Sequence, residues 1–146
     1  MGKFKSAFND GIEAARKAHD SKEEVQAVFN AVNRELSDFN VRIAIAEVTE
    51  QIDFRGMFRA EMFRPPAKYK AIVANSLALT SNKPAKVLAR WTQEPAGYPC
   101  RITLPQKEIF CENKKGLEEG LVDLLKDVMV GESLVSLMNE GTRDVK

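Results

Sequence analysis

Histidine is almost missing from this chain: His19 is the only one in 146 residues. A nucleophilic triad built on histidine would have to use that one side chain. Its position at the end of a helical pattern gives it a simpler role, complementing a helix C-terminus. Cysteine is nearly as scarce. Cys100 and Cys111 are too few for a disulfide framework, and their spacing is no zinc pattern. There is no glycine-rich phosphate loop, no paired-histidine helix and no nucleophile elbow. The carboxylate pairs Glu23-Glu24 and Glu118-Glu119 fall in first turns of expected helices, where capping and the helix dipole account for them. No apolar run approaches the ~18 residues that a membrane span needs. The stretch "MGKFKSAFNDGIEAARKAHD" has no hydrophobic core of the signal-peptide kind. These absences set the expectation of a cytoplasmic chain that is not an enzyme, has no membrane segment, and has neither cofactor-binding nor metal-binding residues.

What is present is an ordinary globular composition, 44% apolar and 29% charged, at a length typical of one domain. Residues 3–19 read as a helix, with Phe4, Phe8, Ile12 and Ala15 at helical spacing. Ser21 and Glu24 form a capping-box pattern, which opens a second helix to about Ser37 with the stripe Val25, Val28, Phe29, Val32 and Leu36. Gln26, Asn30, Asn33 and Arg34 fall on its polar side. At Asn40 the period changes to two: Val41, Ile43 and Ile45 mark a strand. The stretch "DFRGMFRAEMFR", residues 53–64, sorts the same way. On a strand Asp53, Arg55, Arg59 and Glu61 share one side and Phe54, Phe58, Ala60 and Met62 the other; on a helix its charges would scatter around the circumference. Pro65-Pro66 ends it.

Further strands are expected at 68–79, with Tyr69, Ala71 and Val73 inward, and at 85–92, with Val87, Ala89 and Trp91 inward. "TSNKP" and "QEPAGYP" are turn and loop, and Tyr98–Pro99 is a place to look for a cis bond. "CRITLPQKEIFC" reads as a hairpin that sets Cys100 opposite Cys111 and Ile102 opposite Ile109. Pro105 cannot adopt positive φ, which favours a four-residue loop over a two-residue primed turn. Facing cysteines could form a disulfide or redox pair; small buried thiols are the commoner outcome. Asn113 caps a third helix carrying Leu117, Leu121, Leu124, Leu125 and Val128. Gly131 breaks it, a short fourth helix follows, and 141–146 form a frayed tail. The expectation is one α+β domain over residues 1–146. It has two layers: an antiparallel meander of about six strands, with a helix pair from each end of the chain packed on one face, an α2β6α2 order.

The net charge of +1 conceals segregation: residues 1–50 carry −2, residues 51–107 carry +7 and residues 108–146 carry −4. Strand alternation puts Arg42, Arg55, Arg59, Lys68, Lys70, Lys86, Arg90 and Arg101 on the face turned from the helices, with Phe63 and Phe110 among them. Lysine and arginine also serve simply to keep a wet face soluble. Arginine forks beside exposed rings, however, suit an anionic partner. The sequence therefore points to a small non-catalytic binding protein of the regulator, inhibitor, immunity or chaperone type. It would engage an acidic protein surface through Arg55, Arg59, Arg90, Arg101, Phe110, Lys70 and Lys86. The alternative is a nucleic-acid binder using the same face, without the motifs of the common RNA-binding modules. Composition and pattern leave the oligomeric state open.

Overall fold

No glycine or proline stands between Gly11 and Leu36, and across that interval the chain forms one helix rather than two. In the computed structural model, which describes residues 2–49, 67–78 and 85–143 and side chains through 138, helix α1 spans Lys3–Leu36. The boundary expected at Ser21 is absent. A capping box marks a start only where something interrupts the helix before it, and nothing here does. Glu24 has another use: its Oε1 accepts the Tyr98 hydroxyl at 2.8 Å. Gly97 (φ +100°) lies so close to the same turn that a Cβ there would come within 2.5 Å of Ser21 Cβ. The 94–99 loop thus clamps the middle of α1. Its Tyr98–Pro99 bond is cis, as the sequence suggested.

The two halves of α1 differ sharply. Val25, Val28 and Phe29 are buried. Before Ser21 every residue from Lys3 is exposed apart from half-buried Ala18. After α1 a 3-10 turn, Ser37–Phe39, ends at Asn40 in the left-handed region (φ 60°), which asparagine tolerates better than most residues. The chain then enters β1, Val41–Thr49.

The remaining strands are β2 (Lys68–Ser76), β3 (Lys86–Gln93), β4 (Cys100–Leu104) and β5 (Lys107–Cys111). They pair in chain order as an antiparallel meander. Helices α2 (Lys114–Lys126) and α3 (Val128–Arg143) complete the order. The α+β class and antiparallel sheet agree with expectation. Among the described residues, however, there are five strands and three helices rather than six and four. The strand expected at 53–64 lies outside the described residues.

One cluster forms the core. Val25, Val28 and Phe29 of α1, Leu117, Leu121 and Leu124 of α2, and Val130 and Leu137 of α3 meet a single sheet face made of Val41, Ile43, Ile72, Ala74, Ala89, Trp91, Cys100, Ile102, Leu104 and Cys111. Phe29 meets Trp91 edge to face, with centroids 5.6 Å apart, a geometry that the ring quadrupoles favour. Gly120 lets α2 approach the hairpin: a Cβ there would stand 2.9 Å from Cys111 Sγ and 3.0 Å from Ile109 Cγ2.

Among the described residues β1 is an edge of the sheet, and there Asn33 of α1 pairs with strand backbone. Its Nδ2 donates to Ile43 O and its Oδ1 accepts from Ile43 N, both at 2.8 Å. The sequence pattern had set Asn33 on the polar side of its helix. At the other end of the core, Asn113 Oδ1 accepts from Gly116 N at 2.8 Å, the cap that was expected for α2. The break after α2 falls at Asp127 instead of Gly131. Asp127 is extended, its Oδ2 accepts from Met129 N and Val130 N, and Gly131 lies inside α3.

Candidate functional site

The face of the sheet turned away from the helices is built by two-residue alternation, and the register fixes its members. Because Ile43 pairs with Ala74 and Trp91 with Ile102 in the core, Arg42, Tyr69, Ala71, Val73, Arg90, Thr92, Arg101, Thr103, Glu108 and Phe110 face outward. Three of the arginines expected there are present. Arg90, opposite Ala71 on β2, stacks its guanidinium 4.1 Å from the Tyr69 ring centroid. Arg101, opposite Phe110 on β5, lies 5.7 Å from that ring and pairs through Nε with Glu108 Oε1 at 3.0 Å. Arg42 is exposed opposite Asn75 on β2. Arg90 and Arg101 are near neighbours, since Arg90 faces Thr103 and Thr92 faces Arg101. Among the described residues no carboxylate pairs with Arg90.

Other members of the expected face are not there. Lys68 and Lys70 share parity with Ile72 and Ala74 and therefore belong to the helix-bearing side, Lys70 opposite Glu47. Lys86, opposite Ala74, is also on that side. The inward assignment of Tyr69, Ala71 and Val73 is reversed for the same reason. Val87 changes face too: the register shifts between Ile72 and Val73, so Leu88 is an extra residue on β3, and Val87 pairs with outward Val73 and is 45% exposed. A bulge of this kind resets alternation. The outer face is not wet throughout, since Ala71 and Val73 at its centre are buried. Arg55 and Arg59 lie outside the described residues.

Tyr69, Val87, Leu88, Arg90, Thr103 and Pro105 line a shallow pocket of about 300 Å³ on this face. Tyr69 was missed because it was read as a core residue; the lysines on either side, Lys68 and Lys70, gave the alternation the opposite sign, and they are exposed on the helix-bearing side only because they lie beyond the core at the end of β2. Elsewhere a larger groove of about 640 Å³ runs between α1 and α2, with Ala27, Ala31, Val32, Phe39, Val122 and Leu125 among its walls.

The hairpin pairs as the sequence indicated, Cys100 with Cys111 and Ile102 with Ile109. It closes at Leu104 opposite Lys107, so the loop is two residues and not four. Neither of them has positive φ. Both cysteines are free and fully buried. Burial pushes the Cys100 thiol up to about 12, with Cys111 adding to it, and burial raises Cys111 as well. Such thiols are poor nucleophiles. His19 is exposed and 3.0 Å from Glu23 one turn on, an ordinary surface contact. Among the described residues no three His, Cys, Asp or Glu side chains gather, and no helix is long and apolar enough to cross a membrane.

No protein-family model matches the chain, and comparisons with curated proteins and with solved structures return no match.

Proposed function

We propose that the outer sheet face binds an acidic protein surface and that the chain works as a non-catalytic binding protein in the cytoplasm. The observation that carries this reading is the pair of adjacent arginine–aromatic stacks, Arg90 on Tyr69 and Arg101 on Phe110. A guanidinium laid on a ring is held in place; Arg90 has no carboxylate partner among the described residues, and Arg101, paired through Nε with Glu108, has its two terminal nitrogens to offer a carboxylate. Preorganisation of that kind lowers the ordering cost of binding. The half-exposed Phe110 ring and the exposed Val87 beside the pocket supply apolar contact of the sort found at interface centres. Arg42 extends the cationic area. Arg55 and Arg59 join the same proposal on the sequence pattern, whereas Lys70 and Lys86 leave it because they belong to the opposite side of the sheet. A nucleic-acid reading has less support. Among the described residues the outer face holds three arginines, Arg42, Arg90 and Arg101, with Glu108 beside the last, and phosphate-tracking surfaces need a longer row of cations.

The test compares wild type with an Arg90→Glu/Arg101→Glu variant. Both are used to retain partners from native lysate and are titrated against labelled DNA and RNA. The expected result is a protein partner held by wild type and lost by the variant, with no nucleic-acid binding that weakens steeply as salt rises from about 50 to 200 mM. Equal retention by both proteins overturns the proposal.

A further inference from the structure

We infer that the exposed half of α1 is a self-association surface, whose partner is the same segment of a second copy running antiparallel to it. Phe4 and Phe8 are 81% and 68% exposed, and Ile12 is 44% exposed. These are unusual values for large apolar side chains gathered on one helix face. The face belongs to a longer pattern. Phe4, Phe8, Gly11, Ala15, Ala18, Lys22, Val25, Phe29, Val32 and Leu36 recur at alternating steps of four and three, the a/d spacing of a heptad seam. Beyond Lys22 the seam is occupied by the protein's own core, to which Val25 and Phe29 belong and against which Val32 and Leu36 pack. Before Lys22 the same seam runs on, and from Phe4 to Ala15 every member is exposed, only Ala18 beside the body being half-buried.

What makes a second copy the fitting occupant is the order of sizes along this half. The rings stand at one end, Phe4 and Phe8. The small residues stand at the other, Gly11, Ala15 and Ala18. A two-fold axis across the helix sets two such segments head to tail, so each ring meets a small residue: Phe8 over Gly11 of the other copy, Phe4 over Ala15. All four large-on-small layers close together, as an isologous interface requires. A parallel pair would stack ring on ring and leave glycine opposite glycine. The flanking positions are Ala7 and Ala14 on one side and Lys5 and Ile12 on the other, so Lys5 is the sole charge beside the central layers, and it faces Ile12. In this arrangement the folded bodies, which begin near Ser21, lie at opposite ends of the helix pair and do not collide.

The area is that of a weak, reversible dimer. Phe4 and Phe8 are 81% and 68% exposed, so four phenylalanine side chains at about 150–250 Å² each give roughly 600 Å². Isoleucine and alanine bring the total to roughly 900 Å², in the range of transient interfaces. Dimerisation is therefore expected in the upper part of the micromolar range. A partner of another kind would have no need of the matched sequence of large and small residues.

Sedimentation velocity from about 1 to 100 µM reads the result directly. Wild type shifts from monomer to dimer across that range. Phe8→Glu stays monomeric. Gly11→Leu also stays monomeric, although a side chain there meets nothing within 4 Å in the single chain and leucine is the better helix former. Mixing Phe8→Ala with Gly11→Leu restores a dimer that neither forms alone, because leucine then sits over alanine in one layer and phenylalanine over glycine in the other. An unchanged urea midpoint at low protein concentration, where wild type is monomeric, shows in each variant that the body remains folded. Wild type that stays monomeric at about 100 µM, or a dimer indifferent to Gly11→Leu, overturns the inference, and so does a monomer whose apolar strip instead binds lipid vesicles.

Discussion

Replacing Asn33 tests the packing of α1 on the sheet at a single side chain. Its amide makes two 2.8 Å hydrogen bonds to the backbone of Ile43, a residue with 0% exposure on β1, an edge strand among the described residues. Asn33→Ala removes both bonds and strands a donor and an acceptor. Each hydrogen bond contributes about 1 kcal/mol net, and each unsatisfied buried group costs about 1–3 kcal/mol. Asn33 is only half-buried, so water partly compensates, and alanine returns about 0.6 kcal/mol of helix propensity. The net loss is about 2 kcal/mol, a large part of the 5–15 kcal/mol typical of a domain. Urea unfolding followed by Trp91 fluorescence measures it, as a midpoint lowered by roughly 1 M. Native-state hydrogen exchange localises it, with the Ile43 amide deprotected about thirtyfold. Asn33→Asp adds a sign test. An ionised carboxylate still accepts from Ile43 N but repels Ile43 O, whereas a protonated one can donate to it. That variant is therefore most weakened near neutral pH and recovers relative to wild type below the usual aspartate range. A loss under about 0.5 kcal/mol for Asn33→Ala, or an Ile43 amide that exchanges at the wild-type rate, would refute the role given to this side chain.

Other perturbations have equally definite outcomes. Gly120→Ala crowds Cys111 Sγ and Ile109; overpacking costs about 1–3 kcal/mol against the roughly 1 kcal/mol that alanine gains in a helix, and adding Cys111→Ala relieves the clash, which a double-mutant cycle detects as favourable coupling. Asp127→Ala removes the cap of α3 and the 2.7 Å contact from Gln106 Nε2 to Asp127 Oδ1, lowering stability by about 1–2 kcal/mol in urea titration. Stability falls at alkaline pH: Cys100 is raised to about 12, and Cys111 and Tyr98 are raised chiefly by burial, Glu24 reinforcing Tyr98. The unfolded chain therefore releases protons that the folded one keeps: the contribution of the two buried thiols is complete below about pH 8.5 and is lost above it, at up to about 1.4 kcal/mol per pH unit for each thiol, and that of Tyr98 begins to be lost only above about pH 10. A urea midpoint flat from about pH 8 to 10.5 contradicts this. Both thiols react with a disulfide reagent at the rate of unfolding, and a fast native-state phase for either one would contradict their burial.

Much of the fold was legible where one periodicity was unambiguous. The hairpin pairing of Cys100 with Cys111 followed from parity about Pro105-Gln106, and the Asn113 cap followed from side-chain chemistry at a helix start. The failures share a cause: local signals left two answers open and tertiary packing chose between them. Residues 71–74 are all apolar and all buried, so alternation could not say which pair faced the helices. Choosing the wrong parity put Lys70 among the candidate contacts and removed Tyr69. No propensity announced the bulge at Leu88, which moved Val87 outward. Ser21 carried a helix-start signature inside an unbroken helix, because Ser21 is needed there as a small residue beneath Gly97. Of the five candidate residues among those described, Arg90, Arg101 and Phe110 lie on the outer face and Lys70 and Lys86 do not. That face's best-defined feature, a guanidinium lying on a tyrosine, depended on a register visible only in three dimensions.

Because α1 has no joint between Lys3 and Leu36, it acts as a lever with Gly97 as its fulcrum. Phe8 and Phe29 are about 30 Å apart along the axis at 1.5 Å per residue, on opposite sides of that pivot. A tilt of the outer arm about that contact would be felt where Phe29 meets Trp91. The single indole of the chain is thus a built-in optical gauge of events on a remote part of the molecule.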